Sequence, residues 1–348
     1  MQKLFWFVVK LGISIALLAW LFNTAKEEKQ FDGLFEAKKQ WTFLILGLTA
    51  CLAAHAVSYY RWHIMARAIG FSLSAWEAIK IGLIGTFFNL VAFGVIGGDS
   101  LRAFYAARQS REKIPEAISS VFADRVIGLL SMFGVAIVAF NLKDFSALDA
   151  NANEKLDAIK YFFRVFSICY LLGVFALLAL FFSPSLREFR LVKWAGTIRF
   201  VGPLISKVME VISLYQKKPG TIFICIGLSV ITNLLFVVSV FFTAYGLVES
   251  YPSFADHFVV VPVSLVANAV PLPGGLGGME AALTFLYKSF TDASTGIESQ
   301  GFVVALGFRL GILFVSVLGG LFWAAYRKET TMTDPSATEA GDSNSNTA

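Results

Sequence analysis

Charge is scarce in this sequence. Only 15% of its 348 residues are charged, whereas 57% are hydrophobic, 35 are phenylalanine and the mean hydropathy is +0.69. Ordinary soluble domains carry about 25% charged residues, so this composition excludes them and predicts a polytopic membrane protein. The net charge of +5 comes from basic residues beside apolar runs. It fits an anionic membrane surface and requires no nucleic-acid partner.

Cysteine and histidine are equally sparse, with three of each. Cys51, Cys169 and Cys225 lie in three different apolar runs without C-x-x-C spacing. We therefore interpret them as buried small hydrophobic residues rather than ligands or disulfide partners. The histidines show no ligand spacing, so the sequence predicts no metal site.

Motifs of covalent chemistry are missing as well. The sequence contains no GxxxxGK[ST], HExxH or GxSxG, and a dinucleotide fingerprint fails because Glu280 stands where Gly or Ala is required. We therefore expect the chain not to be an enzyme and to need no cofactor.

What the sequence has is long apolar runs. In lipid every backbone polar group must be paired within its own element, so each run is predicted to be helical and the fold all-α. The first run is interpreted as a retained helix rather than a cleaved signal peptide. Residues 1–328 then form one membrane domain and residues 329–348 a disordered polar tail. The eight runs are residues 4–22, 41–60, 81–96, 117–140, 161–182, 221–248, 258–290 and 302–325.

Charges in the connecting loops predict the orientation. Residues 97–116 and 183–220 are rich in Lys and Arg and are predicted to be cytoplasmic, whereas residues 249–257 carry only acids and are predicted to lie outside. Residues 61–80 are also basic, which places cytoplasmic loops at both ends of segment 81–96. The economical interpretation is that this segment enters the membrane and returns, or is a broken helix, at "GVIGG".

A second interrupted segment spans residues 258–290, with prolines and four glycines in its middle and loops of extracytoplasmic type at both ends. The two segments align, because Asn89 precedes the glycine pair 97–98 and Asn268 precedes the pair 274–275. This arrangement predicts six full spans and two broken or re-entrant segments in an inverted repeat. Eight simple spans are the alternative.

Several ionisable residues fall inside apolar sequence, among them Asp124, Arg125, Glu280 and Arg309. Such residues are costly in lipid and are functional candidates, although pairing within the bundle or snorkelling would also account for them. Glycine breaks expose backbone N–H groups at helix N-termini, which together with arginines form an anion site for phosphate or carboxylate.

At these motifs the sequence resembles a known family. "GVIGGDSLRAFYAAR", "AISSVFADRVIGLL" and "PLPGGLGGMEAAL", followed by an arginine in the last helix, resemble the lysylphosphatidylglycerol synthase transmembrane family, the flippase-like domain of the multiple peptide resistance factor. Asp124 stands where the family more often has Glu. The candidate substrate-binding residues are Asn89, Gly97, Gly98, Asp99, Arg102, Asp124, Arg125, Asn268, Pro273, Gly274, Gly275, Gly277, Glu280 and Arg309.

The resemblance implies translocation of an anionic lipid headgroup, such as that of aminoacyl-phosphatidylglycerol or a polyprenyl-phosphate glycolipid. It does not imply synthesis, because the polar residues 329–348 leave no room for a transferase domain. We expect a multi-pass protein of the bacterial inner membrane with both termini cytoplasmic. A membrane lipid is the expected substrate, and a separate lipid-modifying enzyme or a second copy is a candidate protein partner. Two alternatives stay open: a secondary transporter of a soluble anion, and a non-transporting partner of a lipid-modifying enzyme.

Overall fold

The computed structural model describes residues 39–91, 95–109, 114–143, 154–187, 202–267, 277–290 and 300–332, with isolated positions between 19 and 27 and at 194. These residues form helices and short connections, and no strand occurs among them, so the predicted all-α membrane fold is confirmed. In chain order the helices are α1 (Trp41–Ala68), α2 (Ala75–Val91), α3 (Val95–Gln109), α4 (Ile114–Leu142), α5 (Glu154–Phe182), α6 (Pro184–Arg187), α7 (Gly202–Tyr215), α8 (Pro219–Leu247), α9 (Phe254–Ala267), α10 (Gly278–Phe290) and α11 (Gly301–Met332).

Five helices are long and apolar enough to cross a membrane: α1, α4, α5, α8 and α11. The predicted run 4–22 and the predicted tail 329–348 lie mostly outside the described residues. Helix α1 continues to Ala68 instead of ending at residue 60, so the expectation of a loop from residue 61 was wrong. The reason is burial, because Trp62 and Met65 have no exposed surface and extend the packed face of the helix.

The two interrupted segments form two short helical hairpins, α2 with α3 and α9 with α10. Their helices contain 17, 15, 14 and 13 residues. At 1.5 Å per residue each is roughly 20 to 26 Å long, which is too short to cross about 30 Å of hydrocarbon. The paired helices are antiparallel, since the start of α9 meets the end of α10 through His257 Nε2 and the Tyr287 hydroxyl at 2.8 Å. Each hairpin therefore begins and ends on one side of the bundle.

The position of the first break differs from the prediction. Of the motif "GVIGG", only Gly94 falls between α2 and α3, and Gly97 and Gly98 lie inside α3. The glycine pair allows close packing instead. A β-carbon on Gly98 would lie 2.1 Å from the carbonyl oxygen of Gly85 on α2. In the second hairpin a β-carbon on Gly278 would lie 2.6 Å from the carbonyl oxygen of Ala267.

Both hairpins begin with the same local device. At α2 the Ser74 hydroxyl accepts from the Glu77 N–H at 3.2 Å, while the Ser74 N–H donates to Glu77 Oε2 at 2.8 Å. At α9 Ser253 and Asp256 exchange the equivalent bonds at 3.3 and 3.2 Å. These are capping boxes, which satisfy N–H groups that a helix start leaves unpaired.

Helices α1–α4, the first half, and helices α8–α11, the second half, pack on each other reciprocally. Helices α1 and α8 form the most extensive contact and run antiparallel, with the Gln40 N–H donating to the Gly246 carbonyl at 3.3 Å and the Ser239 hydroxyl donating to that of Gly47 at 2.7 Å. Hairpin helix α2 packs on α11, and its counterpart α9 packs on α4. Helix α5 lies at the periphery. The two hairpins are thus held between long helices around a common centre.

Candidate anion site

A polar cavity of about 420 Å³ lies where α1, α2, α3, α4, α8 and α11 meet. Its volume is in the range of small-ligand sites. Four arginines from four helices line it: Arg61 on α1, Arg102 on α3, Arg125 on α4 and Arg309 on α11. Other polar lining residues are His55, Ser58, Tyr59, Thr86, Asn89, Asp99, Asp124, Ser229, Thr232, Asn233 and Ser316.

Asp124 is the centre of a buried charge network. Its Oδ1 accepts from Arg61 Nε at 2.8 Å, and its Oδ2 accepts from Arg102 Nη2 at 3.3 Å. Arg61 is held further by Nη1 donating to the Ser229 hydroxyl at 2.8 Å. Two arginines on one carboxylate keep Asp124 ionised and fix α1, α3 and α4 relative to one another.

The Arg102 guanidinium has a hydrogen-bond donor that its described neighbours do not use. Its guanidinium lies over the Trp62 ring, 4.5 Å from the centroid, and its Nη1 is 3.6 Å from Asp99 Oδ1. The side chain is 5% exposed, yet Nε has no hydrogen-bond partner among the described residues. An unpaired buried donor is costly, so this nitrogen indicates that the cavity is built to receive an acceptor.

Asp99 pairs with Arg125 through two parallel bonds, from Nε to Oδ2 and from Nη2 to Oδ1, both at 2.7 Å. The Arg125 side chain is nevertheless 42% exposed, because open space adjoins it on two sides. One side is the central cavity. The other is the α3–α4 groove, an apolar cavity of about 690 Å³.

Among the described residues, the three guanidinium groups of Arg61, Arg102 and Arg125 face only the two carboxylates of Asp99 and Asp124. One positive charge is left over, since arginine stays protonated in proteins. The network is therefore complementary to a single anion.

The second half of the molecule has a corresponding pair. Arg309 Nε donates to Glu280 Oε1 at 2.6 Å, and the two side chains are 7% and 1% exposed. Glu280 Oε2 also accepts from the N–H of Gly277 at 2.9 Å, which caps α10. Gly277 has φ 96°, a left-handed conformation that favours glycine. Glu280 thus joins the start of the second hairpin to α11.

The structure brings Asn89, Asp99, Arg102, Asp124, Arg125 and Arg309 to one cavity. Asn89 has a structural task there, since its Oδ1 accepts from the N–H of Gly98 at 2.9 Å and so caps α3. Glu280 and Gly277 lie beside Arg309 rather than among the cavity-lining residues, and Gly97 and Gly98 lie in α3. Four predicted residues, Asn268, Pro273, Gly274 and Gly275, lie outside the described residues.

Sequence reasoning missed Arg61. Its position just after an apolar run, beside Arg67 and Lys80, made it look like part of a basic loop. The available signal was the continued helical pattern: Trp62, Met65 and Ala66 recur at helical spacing before the stop at Gly70.

One protein-family model matches most of the chain. The family described as "Lysylphosphatidylglycerol synthase TM region" matches residues 7–320. The chain belongs to this family. A UPF0104 membrane protein of Methanothermobacter thermautotrophicus is similar to it, with 22% identity over 328 residues that cover 85% of this chain and 88% of the relative. The family match includes every residue of the charged network from Arg61 to Arg309.

Proposed function

We propose that the chain translocates a lipid with an anionic headgroup across the membrane and forms or breaks no covalent bond itself. The observation that carries this proposal is the central cavity, where three arginines share two aspartates and leave one positive charge for an anion. A phosphate can accept two parallel hydrogen bonds from one planar guanidinium group. Examples of such lipids are aminoacyl-phosphatidylglycerol and polyprenyl-phosphate glycolipids.

Apolar cavities beside the polar one favour a lipid over a soluble anion. The α3–α4 groove meets the central cavity at Asp99 and Arg125. A second apolar cavity of about 920 Å³ lies between α4, α5, α8 and α9. It shares no lining residue with the central cavity, and the hydrogen bond from Asn233 Nδ2 to the Ser131 hydroxyl, at 3.3 Å, lies between the two. A headgroup in the centre can therefore keep its chains in the apolar α3–α4 groove.

We further propose that α1–α4 and α8–α11 form an inverted repeat in the membrane. The antiparallel α1 and α8, the two capping boxes and the two acid–arginine pairs support it. Such repeats place their sites between two broken segments. With both termini cytoplasmic, cysteines at Arg67 and Arg108 are expected to react with an impermeant reagent from the same, cytoplasmic face. Reaction from opposite faces would contradict the arrangement.

The function is tested with purified protein in vesicles that contain phosphatidylglycerol labelled on its headgroup with a dithionite-sensitive fluorophore. We expect dithionite to bleach label from both leaflets when the protein is present, and from the outer leaflet alone in protein-free vesicles. Arg125→Ala is expected to restore the protein-free result, because it removes the exposed guanidinium.

The same vesicles separate the alternatives. Uptake of radiolabelled phosphate without lipid translocation would assign the chain to soluble-anion transport and contradict the proposal. Neither activity in well-folded protein would favour a non-transporting membrane partner of a separate enzyme.

A further inference from the structure

The ion pair between Asp99 and Arg125 separates two spaces of opposite character. Both residues line the α3–α4 groove, and both line the central cavity. Apart from Ser100 and Arg108, the other groove residues are apolar. Two of them, Phe104 and Ile118, are 58% and 46% exposed on the outer surface of the bundle. The pair therefore stands between the lipid-facing surface and the polar centre.

We propose that this pair is a lateral gate for a phospholipid, which opens when the lipid phosphate replaces Asp99 on the Arg125 guanidinium. The inference rests on the proposed function and names the entrance of the same site. The occupant of the α3–α4 groove is the apolar part of that lipid, since the groove is apolar and has arginines, Arg108 and Arg125, among its lining residues.

Asp99 has a second position available. Its Oδ1 is 2.7 Å from Arg125 Nη2 and only 3.6 Å from Arg102 Nη1. In the described part of the chain, Arg102 Nε has no hydrogen-bond partner. When phosphate binds Arg125, a small shift carries the Asp99 carboxylate to Arg102. Each arginine then has an anionic partner: Arg61 and Arg102 share Asp124, Arg102 also takes Asp99, and Arg125 takes the phosphate. A carboxylate with two nearby partners is the two-state element that a gate requires.

The corresponding pair in the other half cannot act in this way. Glu280 is tied both to Arg309 and to the N–H of Gly277, and both side chains are almost fully buried. The exchange of partners is therefore assigned to Asp99 and not to Glu280.

Binding of short-chain dioctanoyl-phosphatidylglycerol to the full-length protein in uncharged detergent tests the competition. Asp99→Asn is expected to tighten binding about tenfold, the factor that about 1.4 kcal/mol of removed competition produces. Arg125→Gln is expected to abolish binding, and Glu210→Gln on α7, which removes a carboxylate that lines neither the groove nor the central cavity, to leave the affinity unchanged. Unchanged or weaker binding by folded Asp99→Asn would overturn the gate.

The groove is tested in vesicles without disturbing the ion pair. Ile118→Trp fills it, whereas Ile231→Trp is a matched control on α8 with the same exposure of 46% and no place among the lining residues of the three cavities. We expect Ile118→Trp to slow phosphatidylglycerol translocation at least tenfold and Ile231→Trp to leave it unchanged. Equal rates for both variants would overturn the entrance while the proposed function stands. If wild-type vesicles translocate no lipid, the proposed function fails, and the binding experiment still decides whether Asp99 competes with phosphate.

Discussion

The two halves of the molecule use the same acid–arginine pair in different surroundings. In each, an acid near the start of the second hairpin helix reaches an arginine on the following long helix: Asp99 reaches Arg125, and Glu280 reaches Arg309. The first pair has an arginine that is 42% exposed, and in the second the arginine is 7% exposed. Equivalent placement therefore does not mean equivalent role.

Access to open space determines whether each acid–arginine pair can separate. Charges that are fully removed from water must stay together, because separating them leaves an unpaired ion in a medium of low dielectric constant. Charges beside an open cavity can part at lower cost, since water or another anion replaces the lost partner. Glu280 and Arg309 thus serve as an anchor, and Asp99 and Arg125 as a contact that can exchange partners.

The largest expected effect comes from removing one member of each pair. Glu280→Ala leaves Arg309 buried without its carboxylate and is expected to lower the free energy of unfolding by about 3–5 kcal/mol. Asp99→Ala is expected to cost distinctly less, because Arg125 keeps access to the cavity. Thermal unfolding of the purified variants in detergent measures both. A larger loss for Asp99→Ala than for Glu280→Ala would reverse the assignment of anchor and exchangeable contact.

The same acid–arginine pairs show which features of the fold and of the site can be predicted from the sequence. Apolar length and loop charge sufficed for the all-α membrane fold and for two interrupted segments, since both are local properties of the chain. Asp124 and Arg125 were found because charge is conspicuous in apolar sequence. Asp99 and Arg102 were named with them through the glycine motif. Arg61 was missed, because it meets Asp124 only through the packing of α1 on α4. Exposure, which separates Arg125 from Arg309, is a property of the assembled bundle alone.

A second prediction concerns what the halves share. Gly98→Ala and Gly278→Ala both place a methyl group against a carbonyl oxygen of the preceding helix, at 2.1 and 2.6 Å, and are each expected to cost about 1–3 kcal/mol through overpacking. Gly227→Ala on α8 has open space around it and is the matched control, with no loss expected. Unfolding in detergent measures all three. An effect in one hairpin only would show that the two do not close in the same way.

A third prediction separates activity from stability. Arg125→Lys keeps the charge but loses the planar fork, so translocation of labelled phosphatidylglycerol is expected to fall about tenfold, as expected for roughly 1.4 kcal/mol of lost phosphate binding. Its unfolding midpoint should stay close to that of the wild type. Arg309→Lys should give the opposite result, with lower stability and an unchanged rate per folded molecule. Loss of rate in Arg309→Lys at full stability would return Arg309 to the phosphate site.

The smallest expected effect extends the comparison to a pair on α7, which is not among the five long apolar helices. On α7, Lys207 Nζ lies 3.0 Å from Glu210 Oε2, and Glu210 also accepts from the Ser119 hydroxyl of α4. The Ser119 bond, with help from Lys207, holds the pKa of the Glu210 carboxyl below its usual range. A lowered pKa means that the charged form favours the folded state, so this contribution is present above the ordinary carboxyl range and is lost as the pH falls through the lowered value.

Glu210→Gln is therefore expected to lower stability at neutral pH by no more than about 1 kcal/mol, since an exposed pair contributes little. The gap between variant and wild type should close in acid, and high salt should narrow it at neutral pH because the charges face solvent. Unfolding midpoints at both pH values, with and without salt, measure this. A loss as large as that of Glu280→Ala would mean that water access does not set the strength of these pairs, and the distinction between anchor and exchangeable contact would lose its physical basis.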